Sequence, residues 1–203
     1  MNRIALMVLS LALCVAAVAQ EHGKEKGHAG APAGSQAMPP MPKPSAEMDR
    51  LVKALEGTWK ATAKMEPNDF MPGGTATGMA DFRRGPGGFS IGQHYHSTGA
   101  LGDFSGMLLM WWDAKENGFK HVWCDSMSGC MASNGLMHWD GNDLKGTDAM
   151  EFMGKKYTVA QTFTDITSKS FTYSEDAGPT GGPLKRSMTI HYTRTGAAPA
   201  SKH

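Results

Sequence analysis

Apolar positions recur along this chain with two different periods. Between Ser45 and Gly57, Met48, Leu51, Val52 and Leu55 fall at i, i+3, i+4 and i+7, one stripe of an amphipathic helix. Ser45 follows Pro44 as its N-cap, and Gly57 is placed to end it. After Gly57 the period drops to two. Trp59, Ala61, Ala63 and Met65 alternate with Thr58, Lys60, Thr62 and Lys64, as in a strand with one buried face. The same alternation places Phe89, Ile91 and Tyr95 on one face and Ser90, Gly92, His94 and His96 on the other. Tyr157, Val159 and Phe163 form another apolar face, as do Met188, Ile190 and Tyr192.

Turn-forming clusters separate these runs: Arg84–Gly88, Asp113–Gly118, Asp140-Gly141-Asn142 and Gly154-Lys155. The spacing predicts an all-β domain over 45–195: a small antiparallel up-and-down barrel of about nine or ten strands, preceded by one short helix. A β-sandwich would space its strands similarly.

The ends read differently. Asn2-Arg3, the apolar run Ile4–Val18 and the small-x-small pattern Ala17-Val18-Ala19 make residues 1–19 a cleavable signal peptide, with Gln20 as the new terminus. The apolar run is short for a membrane span. Cys14 follows Leu11-Ala12-Leu13, but Leu13 is too large for the position before a lipidated cysteine, so anchoring as a lipoprotein is not expected. Residues 20–44 are rich in Pro, Gly and Ala without an apolar period, and 196–203 are similar; both are expected to be disordered. Export to the periplasm or beyond is the expectation.

With Arg3 removed in the leader, 19 basic residues face 19 acidic ones. A neutral chain lacks the basic field that draws nucleic acid or anionic membranes. Cys124 and Cys130 remain as an even pair, which an oxidising compartment would oxidise to a disulfide worth roughly 2 kcal/mol in a loop this short.

Candidate chemistry is sparse. Gly88-Phe89-Ser90-Ile91-Gly92 matches the G-x-S-x-G pattern of esterases, but that chemistry needs a strand, a strained turn and then a helix, and here a strand follows the turn. No enzymatic role is expected. His94 and His96 lie about 7 Å apart on one face of a strand and could chelate Zn or Cu if His121, His138 or His191 supplied a third ligand. That face is opposite the apolar one, which points the pair at solvent. Fourteen methionines outlast the leader, flexible side chains that suit core filling or an adaptable apolar cavity. Trp111, Trp112, Trp123 and Trp139 cluster in the central third, as core or as cavity wall.

One series of short motifs points further. Leu55-Glu56-Gly57-Thr58-Trp59 after the helix, Gly73–Gly78, Gly87-Gly88-Phe89, Trp111-Trp112-Asp113, Trp123–Met127 and the closing Tyr192-Thr193-Arg194 resemble, in this order, the bacterial domain-of-unknown-function family DUF1579. That family is lipocalin-like and sits with the calycins. The resemblance implies a closed barrel with an apolar interior, Trp59 in a structural place at its base and Arg194 packed across it. It implies no catalytic residues. Relatives in the wider group hold fatty acids, pigments or haem; His191 lies on the strand where a haem ligand would be, yet its parity opposes Met188, Ile190 and Tyr192, so haem is not expected. The reading is a barrel for a small hydrophobic or amphipathic molecule, with Trp59, Met65, Ile91, Tyr95, Trp123, Tyr157, Phe163, Met188 and Ile190 facing inward as core or cavity wall. A metal protein built on His94 and His96, and a filled barrel acting through its loops, are the alternatives.

Overall fold

The computed structural model describes residues 41–68, 72–152 and 154–196. The expected signal peptide over 1–19, nearly all of the 20–44 segment and residues 197–203 lie outside them. Helix α1 spans Ala46–Leu55. Eleven strands follow: β1 Gly57–Met65, β2 Gly74–Arg84, β3 Ser90–Gly99, β4 Gly102–Asp113, β5 Gly118–Asp125, β6 Gly129–Ala132, β7 Met137–Asp140, β8 Asp143–Phe152, β9 Lys155–Thr164, β10 Ser170–Pro179 and β11 Lys185–Gly196.

Each strand pairs antiparallel with its neighbours, and β1 pairs with both β2 and β11. β4 pairs with β5, and β5 touches β7 through Phe119 opposite Met137, so ten strands close into a barrel. β6 is an extra strand paired along the last half of β5. Closure removes the exposed sheet edges that an open sheet would leave.

The alternation of the sequence becomes the inside and outside of this barrel. β1 shows it cleanly: Trp59, Ala61, Ala63 and Met65 are buried, while Lys60, Thr62 and Lys64 are exposed. At one end the interior is solid. Trp59, Phe82, Ile91, Met110, Phe119, Leu144 and Phe171 are 0–1% exposed, and Met48, Leu51, Val52 and Leu55 of α1 join the same cluster. Burying each of those helix side chains contributes roughly 1.5–3 kcal/mol, which explains why a ten-residue helix, marginal in isolation, is held here. Ser45 accepts from the Met48 N–H as its N-cap. Arg50 lies 3.9 Å over the Trp139 ring and donates to the Gly141 carbonyl, tying α1 to the β7–β8 turn.

Two local expectations are corrected. The helix ends on Glu56, whose N–H donates to the Val52 carbonyl, and Gly57 instead opens β1 with φ 143°. A side chain there would run into the Arg194 guanidinium, so Gly57 serves that close approach rather than a helix cap. Phe89 is 43% exposed and not on the inner face. It ends a short 3₁₀ turn, Pro86–Gly88, with φ −79° and ψ −7°, outside the pleat that begins at Ser90.

Candidate functional site

Above the solid base the inner wall changes character. Inward positions of the upper half carry Gln93, Tyr95, His121, Asp148, Gln161, Tyr173 and Glu175 among apolar neighbours. The strand registers set their places. Gln161 on β9 is paired with Glu175 on β10, which is paired with Met188 on β11, which is paired with Met65 on β1. Unlike the base, Asp148, Gln161, Tyr173, Glu175 and Met188 remain partly accessible although they point inward. The upper half of the barrel, away from α1, is thus a polar-lined cup whose inward residues are in part reached by solvent.

Hydrogen bonds hold parts of this polar layer. Tyr173 Oη donates to Glu175 Oε2 at 3.3 Å, and Ser187 Oγ donates to Glu175 Oε1 at 2.8 Å. Ser187 reaches inward because a bulge between Glu175 and Asp176 shifts the β10–β11 register. Burial pushes the Glu175 carboxyl above its ordinary range, against the pull of the Ser187 and Tyr173 hydrogen bonds. Burial likewise raises the Tyr173 and Tyr192 phenols. Gln93 Nε2 donates to Tyr192 Oη at 3.4 Å.

His121 is not held in this way. It is 7% exposed, and its Nδ1 has no hydrogen-bond partner among the described residues. Burial lowers its pKa, and the Asp148 carboxylate pulls in the opposite direction. Asp148 Oδ1 accepts from the Asn134 and Gly135 N–H groups and so bridges the break between β6 and β7. Trp139 Nε1 is buried without a partner among the described residues as well, near the base. A buried polar group left unpaired costs on the order of 1–3 kcal/mol, so a ligand group that reached His121 Nδ1 would recover part of that cost.

The sequence candidates divide between base and cup. Trp59, Ile91 and Phe163 are part of the buried cluster near α1. Met65, Tyr95, Ile190 and the partly buried Trp123, Tyr157 and Met188 take higher inward positions. Trp123 stacks on Phe104 at 6.3 Å and donates to Asp125 Oδ2 at 2.8 Å. His121, Glu175, Tyr173, Gln93, Gln161 and Asp148 were not predicted as cup residues. Their signal was a polar residue at inward parity: Gln93 between Ile91 and Tyr95, His121 between Phe119 and Trp123.

His94 and His96 stand exposed on the outer wall, beside a surface depression of about 480 Å³ that also touches Asp81, Met107 and Cys124. No third histidine among the described residues joins them: His121 faces inward, His138 is on β7, and His191 shares a hydrogen bond with Thr172 on the far side of β11. Among the described residues no three His, Cys, Asp or Glu side chains converge as a metal site. Cys124 and Cys130 face each other across β5 and β6 and are disulfide-bonded, on the outer wall. Ser90 begins β3, and no helix follows it. No helix among the described residues is long and apolar enough to cross a membrane.

Residues 43–194 match the family described as a protein of unknown function (DUF1579). The chain belongs to this family. The DUF1579 fold has counterparts among solved structures. Rv2717c from M. tuberculosis aligns with a TM-score of 0.53 at 13% identity, over 74% of this chain and 98% of that one. The S-type phycobiliprotein lyase CPES from Guillardia theta aligns with a TM-score of 0.47 at 10% identity, over 76% and 93%. A de novo designed fluorescence-activating β-barrel gives 0.41 at 10% identity, over 72% and 98%. At these identities the likeness to Rv2717c is one of fold. Among curated proteins none matches this DUF1579 chain.

Proposed function

We propose that this DUF1579 protein is an exported, non-enzymatic barrel that binds a small amphipathic molecule in its cup. The observation that carries the reading is His121: an imidazole more than nine-tenths buried on the inner wall, with a ring nitrogen that the described residues leave unpaired. Inward polar groups fix the orientation of a ligand, and apolar walls supply most of its affinity. Here the apolar wall is Met65, Val159, Met188 and Ile190, the first two and last of them buried and Met188 partly accessible. Methionine adapts to differently shaped apolar bodies. Export is supported by the leader-like residues 1–19 and by a disulfide, which persists in oxidising compartments.

The test is to purify the chain from its native compartment without detergent, extract it, and identify what is released by mass spectrometry. In parallel the emptied protein is titrated with a hydrophobic fluorescent probe. Probe binding in the micromolar range that weakens in His121→Leu is expected. A protein that releases nothing and leaves the probe dark would overturn the reading.

A further inference from the structure

The charge inside the cup is one-sided. Between the base and the mouth the inward positions carry Asp148 on β8 and Glu175 on β10, with Asp125 of β5 at the rim, and none among the described residues carries Lys or Arg. Among the described residues, cationic side chains of inward parity occur only at the two ends. At the mouth, Lys155 and Lys185 are exposed at the starts of β9 and β11, with Lys185 opposite Ala177. At the base, Arg84 is beneath the helix, 3.4 Å from Asp49, and Arg194 covers the Trp59 ring. The other charged groups near Glu175 face outward: Asp176 is paired with Arg186 at 2.7 Å on the outer wall.

Asp125 and Asp148 are partly neutralised by backbone N–H donors, which Asp125 takes from Met127 and Ser128, and Asp148 from Asn134 and Gly135. Glu175 has none of these. Its side-chain partners are the hydroxyls of Ser187 and Tyr173, and no cation among the described residues stands beside it. An enclosed carboxyl without a cation stays costly to ionise, which is why burial outweighs those two hydrogen bonds.

The walls around it are aromatic. Tyr173 shares the inner face of β10 with Glu175, and Phe163 meets the Tyr173 ring at 5.0 Å. Tyr95 on β3 meets Phe104 at 6.0 Å, and Tyr192 on β11 is stacked on Phe171 at 4.3 Å. Ring faces attract cations, most of all where water is excluded. His121 adds a neutral imidazole whose free nitrogen can pair with an N–H or O–H of the ligand without adding positive charge.

We infer that the cup selects cationic amphiphiles, an amine or quaternary ammonium carried on an apolar body, with Glu175 as the counter-charge, and that it rejects the carboxylates of fatty acids. This rests on the ligand-binding reading above. A carboxylate ligand would bring a second negative charge into an enclosed space that already holds Glu175 and Asp148, whereas an ammonium would supply the partner that Glu175 lacks.

Three probes with one body and different heads test it: 1-naphthylmethylamine, 1-naphthalenemethanol and 1-naphthoate, each titrated calorimetrically at pH 7 into the full exported chain with its disulfide intact. The amine should bind at least about tenfold more tightly than the carboxylate, with the alcohol between them. Glu175→Gln should weaken the amine by about fivefold or more and leave the alcohol within about twofold. Equal or tighter binding of 1-naphthoate would overturn the inference while alcohol binding kept the cup reading intact. So would an amine affinity untouched by both Glu175→Gln and Asp148→Asn. Should Glu175→Gln fail to fold, the order of the three probes on the unaltered chain decides. Absence of binding by all three would overturn the cup reading and the inference together.

Discussion

Arg194 on the last strand lies flat over the indole of Trp59 on the first, 3.9 Å from guanidinium carbon to ring centroid. The contact joins the first and last strands at the base of the barrel, where β1 and β11 meet across a bulge between Thr58 and Trp59. Arg194 Nε also donates to the Ser168 carbonyl at 2.7 Å, Nη1 donates to the Glu56 carbonyl, and Trp59 Nε1 donates to the Leu55 carbonyl at 2.8 Å. One guanidinium therefore fastens the end of α1, the β9–β10 loop and the barrel seam.

Replacing Arg194 by Ala should destabilise the domain by about 2 kcal/mol, the sum expected of a cation–π contact and a charged hydrogen bond. Arg194→Lys should recover only part, since an ammonium cannot both stack and fork. Urea denaturation followed by tryptophan fluorescence reads both variants; an Ala variant as stable as the parent would remove Arg194 from this role.

His121 predicts a pH dependence of stability. Its folded pKa is depressed below the ordinary 6.5 by burial. The neutral imidazole is thus favoured in the folded state, and its contribution is present above pH 6.5 and lost as the pH falls through the folded value. Glu175 acts in the opposite sense. Its folded pKa is raised above 4.5, so its contribution is present below pH 4.5 and lost as the pH rises through the folded value. The two are separated by variant. His121→Leu should flatten the loss of stability that sets in below pH 6.5, measured by chemical denaturation, and an unchanged slope would assign that loss to other groups.

The β5–β6 hairpin should survive reduction. Asp125 accepts from the Met127 and Ser128 N–H groups and from Ser128 Oγ, so the turn inside the Cys124–Cys130 loop is already ordered by hydrogen bonds. Six positions of separation limit the loop-entropy contribution to roughly 2 kcal/mol. The Cys124→Ser, Cys130→Ser double variant is expected to lose that amount or less in urea and to bind ligand as before, because the disulfide faces away from the cup. Loss of binding with the fold intact would show that the hairpin shapes the mouth.

Strong periodicity made the frame legible. Met48, Leu51, Val52 and Leu55 give α1, and the alternation of Trp59–Met65 gives β1, because each has one face against the core and one against water. Phe89 escaped because Gly87 takes φ 62° in the turn before it, so the pleat begins one residue later than the alternation suggests. The polar layer escaped for another reason. In β10, Ser174, Glu175 and Asp176 follow one another with no apolar contrast, and only the pairing of Glu175 with Gln161 and Met188 shows which of them faces inward. The expectations of export, read from residues 1–19, and of a non-enzymatic role rest on the sequence alone. The division of the outer edge into β6 and β7 was hidden too, since Ser133–Leu136 interrupts what would otherwise be one strand.

Gly57 and Arg194 should be energetically coupled. Gly57 has φ 143°, and a Cβ there would meet the Arg194 guanidinium and approach the Gly196 carbonyl oxygen to 3.1 Å. Gly57→Ala therefore incurs two costs, backbone strain and displacement of Arg194 from Trp59. Once Arg194 is already Ala, only the strain and the Gly196 contact remain. The double variant should be more stable than the sum of the single losses predicts, by about 1 kcal/mol or more. Strict additivity in urea denaturation would mean that the guanidinium swings aside at no cost, and that the seam is held by the backbone pairing of β1 with β11 alone.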